Sequence, residues 1–203
     1  MAEQKHITAW CSIFDNKVVK NGTQLFDAKS VGINEFVVAV YKHLQVQYPK
    51  FYKMDNLSKL GWLATEVLLK DNFDKSSYAP TQVAVVLANA NASLDSDLKY
   101  LESVKDGASP ALFVYTLPNI VIGEICIRNG FKGENTFYIT VHFDAAMIHR
   151  QVSETMDHKA AACICGWVDV LGEDYKAVLF LVETNKEGIP FSETNLKKLF
   201  ESN

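Results

Sequence analysis

A continuous run of apolar residues between two turn signals constrains the fold more than any other feature of this sequence. Residues 82–87 read Gln-Val-Ala-Val-Val-Leu, with Pro80 before them and Asn89 after them. A run of this length and composition predicts a strand that is buried on both faces. Such a strand needs helices on both sides of its sheet. The sequence therefore favours an α/β protein, with a mixed β-sheet and helices packed on its faces.

Other segments supply matching strands and helices. Stretches rich in β-branched and aromatic residues predict strands at 6–14, 136–141, 160–168 and 177–182, the last two as an antiparallel hairpin across a turn at 172–174. Helical spacing of apolar residues predicts helices at 57–69 with Asp55 as cap, at 94–104 with Ser93 as cap, and from Ser192 onward, with Phe191 and Leu196 as a hydrophobic staple. Strands thus alternate with helices along most of the chain.

One apolar segment fits two structures. Residues 120–127 have the composition of a strand. However, Pro118 could stand in the first turn of a helix, and Ile120, Glu124 and Ile127 would then share one helical face. Local propensity leaves both alternatives open.

Composition narrows the classes of function. The 203 residues carry 20 Lys+Arg against 24 Asp+Glu, so the net charge is −4 and there is no basic footprint for nucleic acid. No apolar stretch approaches the roughly 18–20 residues of a membrane-spanning helix. Residues 1–6 lack a signal-peptide pattern, so we expect a cytoplasmic protein without a membrane partner.

We see no repeat or linker, so we expect a single domain over residues 1–203. We also find no phosphate, dinucleotide or zinc-protease motif, and expect no cofactor.

The cysteines offer the best candidate for a metal site. Cys163 and Cys165 would point to the same face of a strand, with His158 upstream. Soft-metal binding is one interpretation, but the flanking residues are apolar, and core packing is the stronger one. Cys11 and Cys126 lie among apolar neighbours and are also expected to be inert. We therefore assign no metal site.

His142 and Asp144 follow the predicted strand at 136–141. If the strand continued, the two side chains would point the same way and could form a hydrogen-bonded pair. If a helix begins there instead, Asp144 would favour its first turn through the helix dipole. His149, seven residues on, would share a helical face with His142, a weaker metal candidate. Both readings of Asp144 stay open.

The segment from Ser109 to Thr136 resembles a known family. It reads Ser-Pro-Ala-Leu-Phe-Val-Tyr-Thr-Leu-Pro-Asn-Ile at 109–120, then Gly-Glu-Ile at 123–125 and Lys-Gly-Glu-Asn-Thr at 132–136. This pattern is similar to the N-terminal half of β-ketoacyl-acyl-carrier-protein synthases, and more narrowly to stand-alone proteins that resemble that domain. The resemblance implies one half of a thiolase-like fold. It also favours a helix over 118–128.

The departures from the family matter for function. Counted from Gly133, the position of the family's nucleophilic cysteine falls on His142. The resemblance does not extend to the family's second half, which supplies two catalytic histidines. Condensation needs a thiolate to hold the acyl group, and an imidazole cannot form a lasting thioester. We therefore expect no confident catalytic residue. Asn119, Phe143 and Met147, near the family's active site, are candidates for an acyl pocket.

Three functions follow as hypotheses. The first is a non-catalytic accessory subunit in fatty-acid, polyketide or aryl-polyene type biosynthesis, which forms a homodimer or a heterodimer with a full-length ketosynthase. The second is a residual acyl-thioester enzyme, hydrolytic or decarboxylating, in which His142 acts as a base with Asp144 as its partner. The third is a module that binds acyl groups or an acyl carrier protein. Carrier proteins are acidic, so the docking candidates are Lys42, Lys50 and Lys53, or Lys197 and Lys198.

Overall fold

A single mixed β-sheet with helices on both faces organises the chain, as the sequence predicts. The computed structural model describes residues 4–29 and 31–202, so residues 1–3, in which we looked for a signal pattern, lie outside it. The strands are β1 (Lys5–Phe14), β2 (Lys17–Lys20), β3 (Thr23–Asp27), β4 (Val83–Asn89), β5 (Asn135–Ile139), β6 (Ala162–Leu171), β7 (Asp174–Thr184) and β8 (Ile189–Pro190). The helices are α1 (Ile33–His43), α2 (Asn56–Leu69), α3 (Leu94–Ser103), α4 (Pro110–Phe113), α5 (Ile120–Asn129), α6 (Ala145–His158) and α7 (Glu193–Glu201).

The strand order is β3-β2-β1-β7-β6-β4-β5, with β8 beside β1. Strand β4 runs parallel to both of its neighbours, β5 and β6, whereas β6–β7, β7–β1 and β1–β2 are antiparallel. All seven residues of β4 are buried, as the apolar run predicts. The mixed character of the sheet is thus confirmed.

Two hydrophobic cores lie on opposite faces of the sheet. Alternate residues of a strand point to opposite sides, so Val85 and Leu87 join the first core, while Ala84 and Val86 join the second. Helices α1, α2 and α5 cover the first face. Helices α6 and α7 cover the second, through residues such as Ile148 and Leu196.

The ambiguous segment 120–127 is helical, because it packs across α2. Val121, Ile122 and Ile125 are buried there, and Gly130, with φ of 69°, ends the helix in the left-handed conformation. Gly61 of α2 lets the two helices approach closely: a Cβ atom at this position would lie 2.4 Å from Cγ2 of Val121. Tertiary packing therefore decides what local propensity left open.

The three predicted helix caps stand at the expected positions. Asp55 accepts a hydrogen bond from the Ser58 amide at 2.9 Å, and Ser192 accepts one from the Asn195 amide at 3.2 Å. Ser93 is the N-cap residue of α3, but its hydroxyl donates to the Thr116 carbonyl at 2.9 Å and accepts no helix amide. At Ser93 the position of the cap is therefore confirmed, without a side-chain cap hydrogen bond.

Strand β5 is shorter than predicted, which changes the setting of His142. It ends at Ile139, opposite the last residue of β4; the Thr140 amide makes the final hydrogen bond to β4, at the Asn89 carbonyl (2.9 Å), and the chain then turns toward α6. Within the described ranges, no single helix is long and apolar enough to cross a membrane. The helical segments Pro110–Thr116 and Ile120–Asn129 together have the length and composition of a membrane span, but a bend of 98° separates them.

Candidate functional site

The chain leaves the adjacent strands β4 and β5 toward opposite faces of the sheet. From β4 it passes through α3 and α4 to α5 on the first face, and from β5 it continues to α6 on the second. In open α/β sheets, ligands bind in the crevice that opens beyond the carboxyl ends of two such strands. We therefore expect a ligand to bind between residues 90–93 and 140–144, and we call this region the switch-point crevice. Topology alone makes it the leading candidate site.

Side-chain hydrogen bonds hold the first wall of the crevice. The amide group of Asn89 both accepts from the Ala92 amide at 2.9 Å and donates to the Ala92 carbonyl at 2.8 Å. The carboxylate of Asp169 receives the backbone and side-chain amides of Asn91 at 3.1 and 2.8 Å. Sequence reasoning missed this network, although short polar residues directly after a buried parallel strand were a usable signal.

The second wall is the segment 140–144, which we call the crevice loop. Val141 is 91% exposed and His142 is also exposed. Phe143 turns inward to the second core, and the carboxylate of Asp144 accepts the Met147 amide at 2.9 Å as the N-cap of α6. The helical alternative for Asp144 is therefore the one the chain adopts, in the capping position just before the first turn.

No hydrogen bond joins the side chains of His142 and Asp144, both of which lie in the described part of the chain. The strand that would have aligned them ends at Ile139, and Asp144 is engaged with the helix amide. The crevice thus offers a solvent-exposed imidazole without an orienting carboxylate from Asp144. An imidazole in this setting lacks the partner that holds a catalytic base in orientation.

The three acyl-pocket candidates do not converge. Asn119 is exposed at the start of α5, on the side of the first core. Phe143 and Met147 pack against the second core, on the opposite face of the sheet. Phe143 and Met147 therefore lie on one face of the sheet, and Asn119 lies on the other.

None of the four cysteines lies in the loops that form the crevice. Cys163 and Cys165 are fully buried in the second core, as the core interpretation predicts, and burial raises the pKa of both thiols. Burial also raises the pKa of Cys11 to about 12 and that of Cys126 to about 11. Since a nucleophilic cysteine needs a lowered pKa, all four are poor nucleophiles.

Helix α3, beside the crevice, buries its polar side and exposes its apolar side. Asp95 and Ser96 are buried, whereas Leu98 and Leu101 are 53% and 65% exposed. The same leucines that predict a helix with an apolar face therefore point away from the protein's own core. The polar side is held inward because Asp95 accepts the Gly172 amide at 3.0 Å and Ser96 donates to Asp55 at 2.6 Å.

The exposed leucines of α3 are part of a larger apolar surface. Phe113 and Leu117, from α4 and the turn after it, are 59% and 57% exposed, and Phe113 lies 5.4 Å from the ring of Tyr100. We call the following set the apolar patch: Leu98, Leu101, Phe113, Val114 and Leu117. Clustered exposed apolar side chains of this kind mark interaction surfaces.

The candidate docking lysines differ in their surroundings. Lys50 lies 2.8 Å from the buried carboxylate of Glu124, which also accepts a hydrogen bond from Tyr115. Lys50 is therefore engaged in a structural ion pair. The remaining candidates are exposed at the surface: Lys42, Lys53, Lys197 and Lys198.

Comparisons with known proteins reveal relatives by structure only. No family model and no curated protein matches the sequence. The ishigamide ketosynthase/chain length factor matches with a TM-score of 0.65 and 16% identity, over 92% of this chain and 64% of that one. A type II polyketide ketosynthase in complex with its acyl-carrier protein matches with a TM-score of 0.61 and 14% identity, over 91% and 64%.

A third solved structure is similar to this chain over nearly its whole length. It is the ketosynthase ApeO in complex with its chain length factor ApeC from Xenorhabdus doucetiae, with a TM-score of 0.58 and 13% identity, over 98% of this chain and 91% of that one. This chain spans less than two thirds of the first two neighbours. The shared architecture is the thiolase-like fold of ketosynthases and chain length factors, which confirms the fold that the segment 109–136 implies.

Proposed function

We propose that this chain is a ketosynthase-like accessory subunit that pairs with a catalytic ketosynthase in polyketide or aryl-polyene type biosynthesis. In that role it contributes surface to an acyl site and no nucleophile. The observation that carries the proposal is the exposed apolar side of helix α3, which forms part of the apolar patch.

The apolar patch needs a covering partner because its side chains stay exposed among the residues that the structure describes. Leu98 and Leu101 stand outward by virtue of the buried hydrogen bonds of Asp95 and Ser96, so the orientation of α3 is built into the fold. Leaving several large apolar side chains exposed has a cost that association removes. The second face of the sheet, in contrast, is already covered by α6 and α7.

Strand β5 provides a second surface for pairing. It forms one edge of the sheet, and its sequence Asn-Thr-Phe-Tyr-Ile carries no charge or proline. Natural edges are usually blunted by charges, proline or bulges. The opposite edge follows that rule, since the β2–β3 pairing contains a bulge at Val18/Val19 and β3 ends at Asp27. An unprotected edge such as β5 favours addition of a partner's strand.

The partner we infer is a ketosynthase and not only a second copy. The crevice loops contain no cysteine, so two copies together would still lack the thiolate that condensation requires. The neighbours with the same fold include structures described as a ketosynthase with a chain length factor. A ketosynthase partner would supply the missing nucleophile.

Co-expression tests the proposal. The chain is produced with each ketosynthase of its host, and the mass of the purified complex is measured by light scattering. We expect a 1:1 complex with one ketosynthase. The double variant Leu98→Glu/Leu101→Glu should bind roughly a hundredfold more weakly, because its carboxylates would be buried without partners.

The matched control is Leu25→Glu, which changes an exposed leucine on β3, at the opposite edge of the sheet. This variant should bind like the wild type. A chain that stays alone with every ketosynthase, or a double variant that binds as tightly as the control, would contradict the proposal.

A further inference from the structure

Hydrogen bonds of Thr140 and Asp144 hold the two ends of the crevice loop, and between them the side chain of Phe143 anchors it to the second core. Its neighbours Val141 and His142 are exposed, whereas Phe143 packs against the second core. The position of this loop, and therefore of His142, depends on what holds the Phe143 ring.

Phe200, in the last helix, is the closest aromatic neighbour of that ring. The centroids of Phe143 and Phe200 lie 4.0 Å apart, with an interplanar angle of 8°. Trp167 of β6 stands nearly perpendicular to both rings, at 6.4 Å from Phe143 and 6.5 Å from Phe200. Stacked and edge-to-face geometries are the favoured arrangements of aromatic pairs.

Phe200 is itself fixed by Lys176 of β7. The Lys176 ammonium lies 4.3 Å from the centroid of the Phe200 ring and 3.5 Å from the Phe200 carbonyl, to which it donates. The same ammonium lies 5.4 Å from the ring of Phe14. A cation over an aromatic face is attractive, more so where water is partly excluded. The sheet, helix α7 and the crevice loop are thus joined through one ring.

We infer that Phe200 is a positioning residue for the crevice loop, and that α7 acts on the segment that carries His142 through the Phe200 ring. A ligand or partner that shifts Phe143 would have to move or break this stacked contact. The inference deepens the proposed function at its site, but its test needs no ketosynthase.

The test is hydrogen exchange of the full chain, followed by mass spectrometry of peptides that cover residues 140–144. Phe200→Ala removes the stacked ring and should speed exchange in these residues about tenfold, because the loop then opens locally more often. Phe200→Tyr keeps the ring and should restore slow exchange.

Phe191→Ala is the matched control. Phe191 precedes α7, where its ring is buried and lies 5.0 Å from that of His149. Its loss should leave residues 140–144 at the wild-type rate. The inference is overturned if both alanine variants speed the loop equally, or if Phe200→Ala does not change it. Either result leaves the pairing proposal standing.

Discussion

Ser96 donates a 2.6 Å hydrogen bond to Oδ2 of Asp55, which joins the buried side of α3 to the beginning of α2. The other oxygen of Asp55 accepts the Ser58 amide. One carboxylate therefore caps one helix and sets the rotation of another. That rotation is what places the leucines of α3 at the surface.

The pH dependence of stability should reflect this carboxylate. Burial is the main cause that raises the pKa of Asp55 above 3.8, and the hydrogen bonds of Ser58 and Ser96 oppose it. The folded state then holds the proton more tightly than the unfolded state. The stability that this group contributes is present below about pH 3.8 and is lost as pH rises through the raised pKa. Asp55→Asn, which can still cap α2, should unfold with a flatter pH dependence in urea titrations.

Ser96→Ala is the complementary variant. It removes a donor to the charged carboxylate, so we expect a loss of about 1–3 kcal/mol in the free energy of unfolding at neutral pH. The loss should shrink in acid, where Asp55 is protonated. Equal losses at both pH values would show that the hydroxyl does not act through the charge.

The contact between α2 and α5 predicts that alanine substitutions at two glycines change the free energy of unfolding in opposite directions. Gly61→Ala would place a Cβ atom 2.4 Å from Val121, so we expect destabilisation by about 1–3 kcal/mol despite the better helix propensity of alanine. At Gly123 of α5 nothing lies within 4 Å of the added atom. Gly123→Ala should therefore stabilise by up to about 1 kcal/mol. Thermal unfolding of both variants measures the difference, and a shift of the same sign would contradict the packing argument.

The apolar patch should affect the isolated chain as well as its complex. We expect Leu98→Glu/Leu101→Glu to lower self-association in sedimentation experiments while changing the free energy of unfolding by no more than about 0.5 kcal/mol per site, since both side chains are exposed. A large loss of stability would mean that the leucines support the monomer after all.

A His142→Ala variant distinguishes the accessory role from that of a residual thioester enzyme. As an accessory subunit, the isolated chain should hydrolyse short acyl thioesters no faster than buffer, and His142→Ala should leave both that rate and the melting temperature unchanged. Hydrolysis that is present in the wild type and absent in this variant would support the thioesterase alternative.

Much of the fold could be predicted because its signals are local. The buried run of β4, the hairpin of β6 and β7, and the caps Asp55 and Ser192 need only near neighbours in sequence. Strands β2 and β3 were not predicted, since both are short, β3 is largely exposed, and they form only by pairing with β1 and with each other. The turn between them, Asn21-Gly22, was an available hairpin signal, with φ of 49° and 78°.

The candidate site was harder to predict, because it depends on where distant segments meet. The sequence places His142 near a crevice only through the resemblance, and it wrongly extends β5 to Val141. The sequence also does not show that α3 exposes its leucines, since helical periodicity identifies an apolar face but not the partner of that face. That partner is decided by Asp55 and Gly172, which lie far from α3 in sequence.

The central position of β7 beside β1 has a consequence for how the chain folds. Thr8 donates to the Leu181 carbonyl across a separation of 173 positions. The first strand therefore stays without its main neighbour until residues 174–184 have been synthesised. Sheets closed by such distant pairings form slowly, and their unpaired strands are exposed to aggregation in the meantime. We therefore expect slow refolding and a dependence on chaperones during synthesis that is greater than the size of the protein suggests.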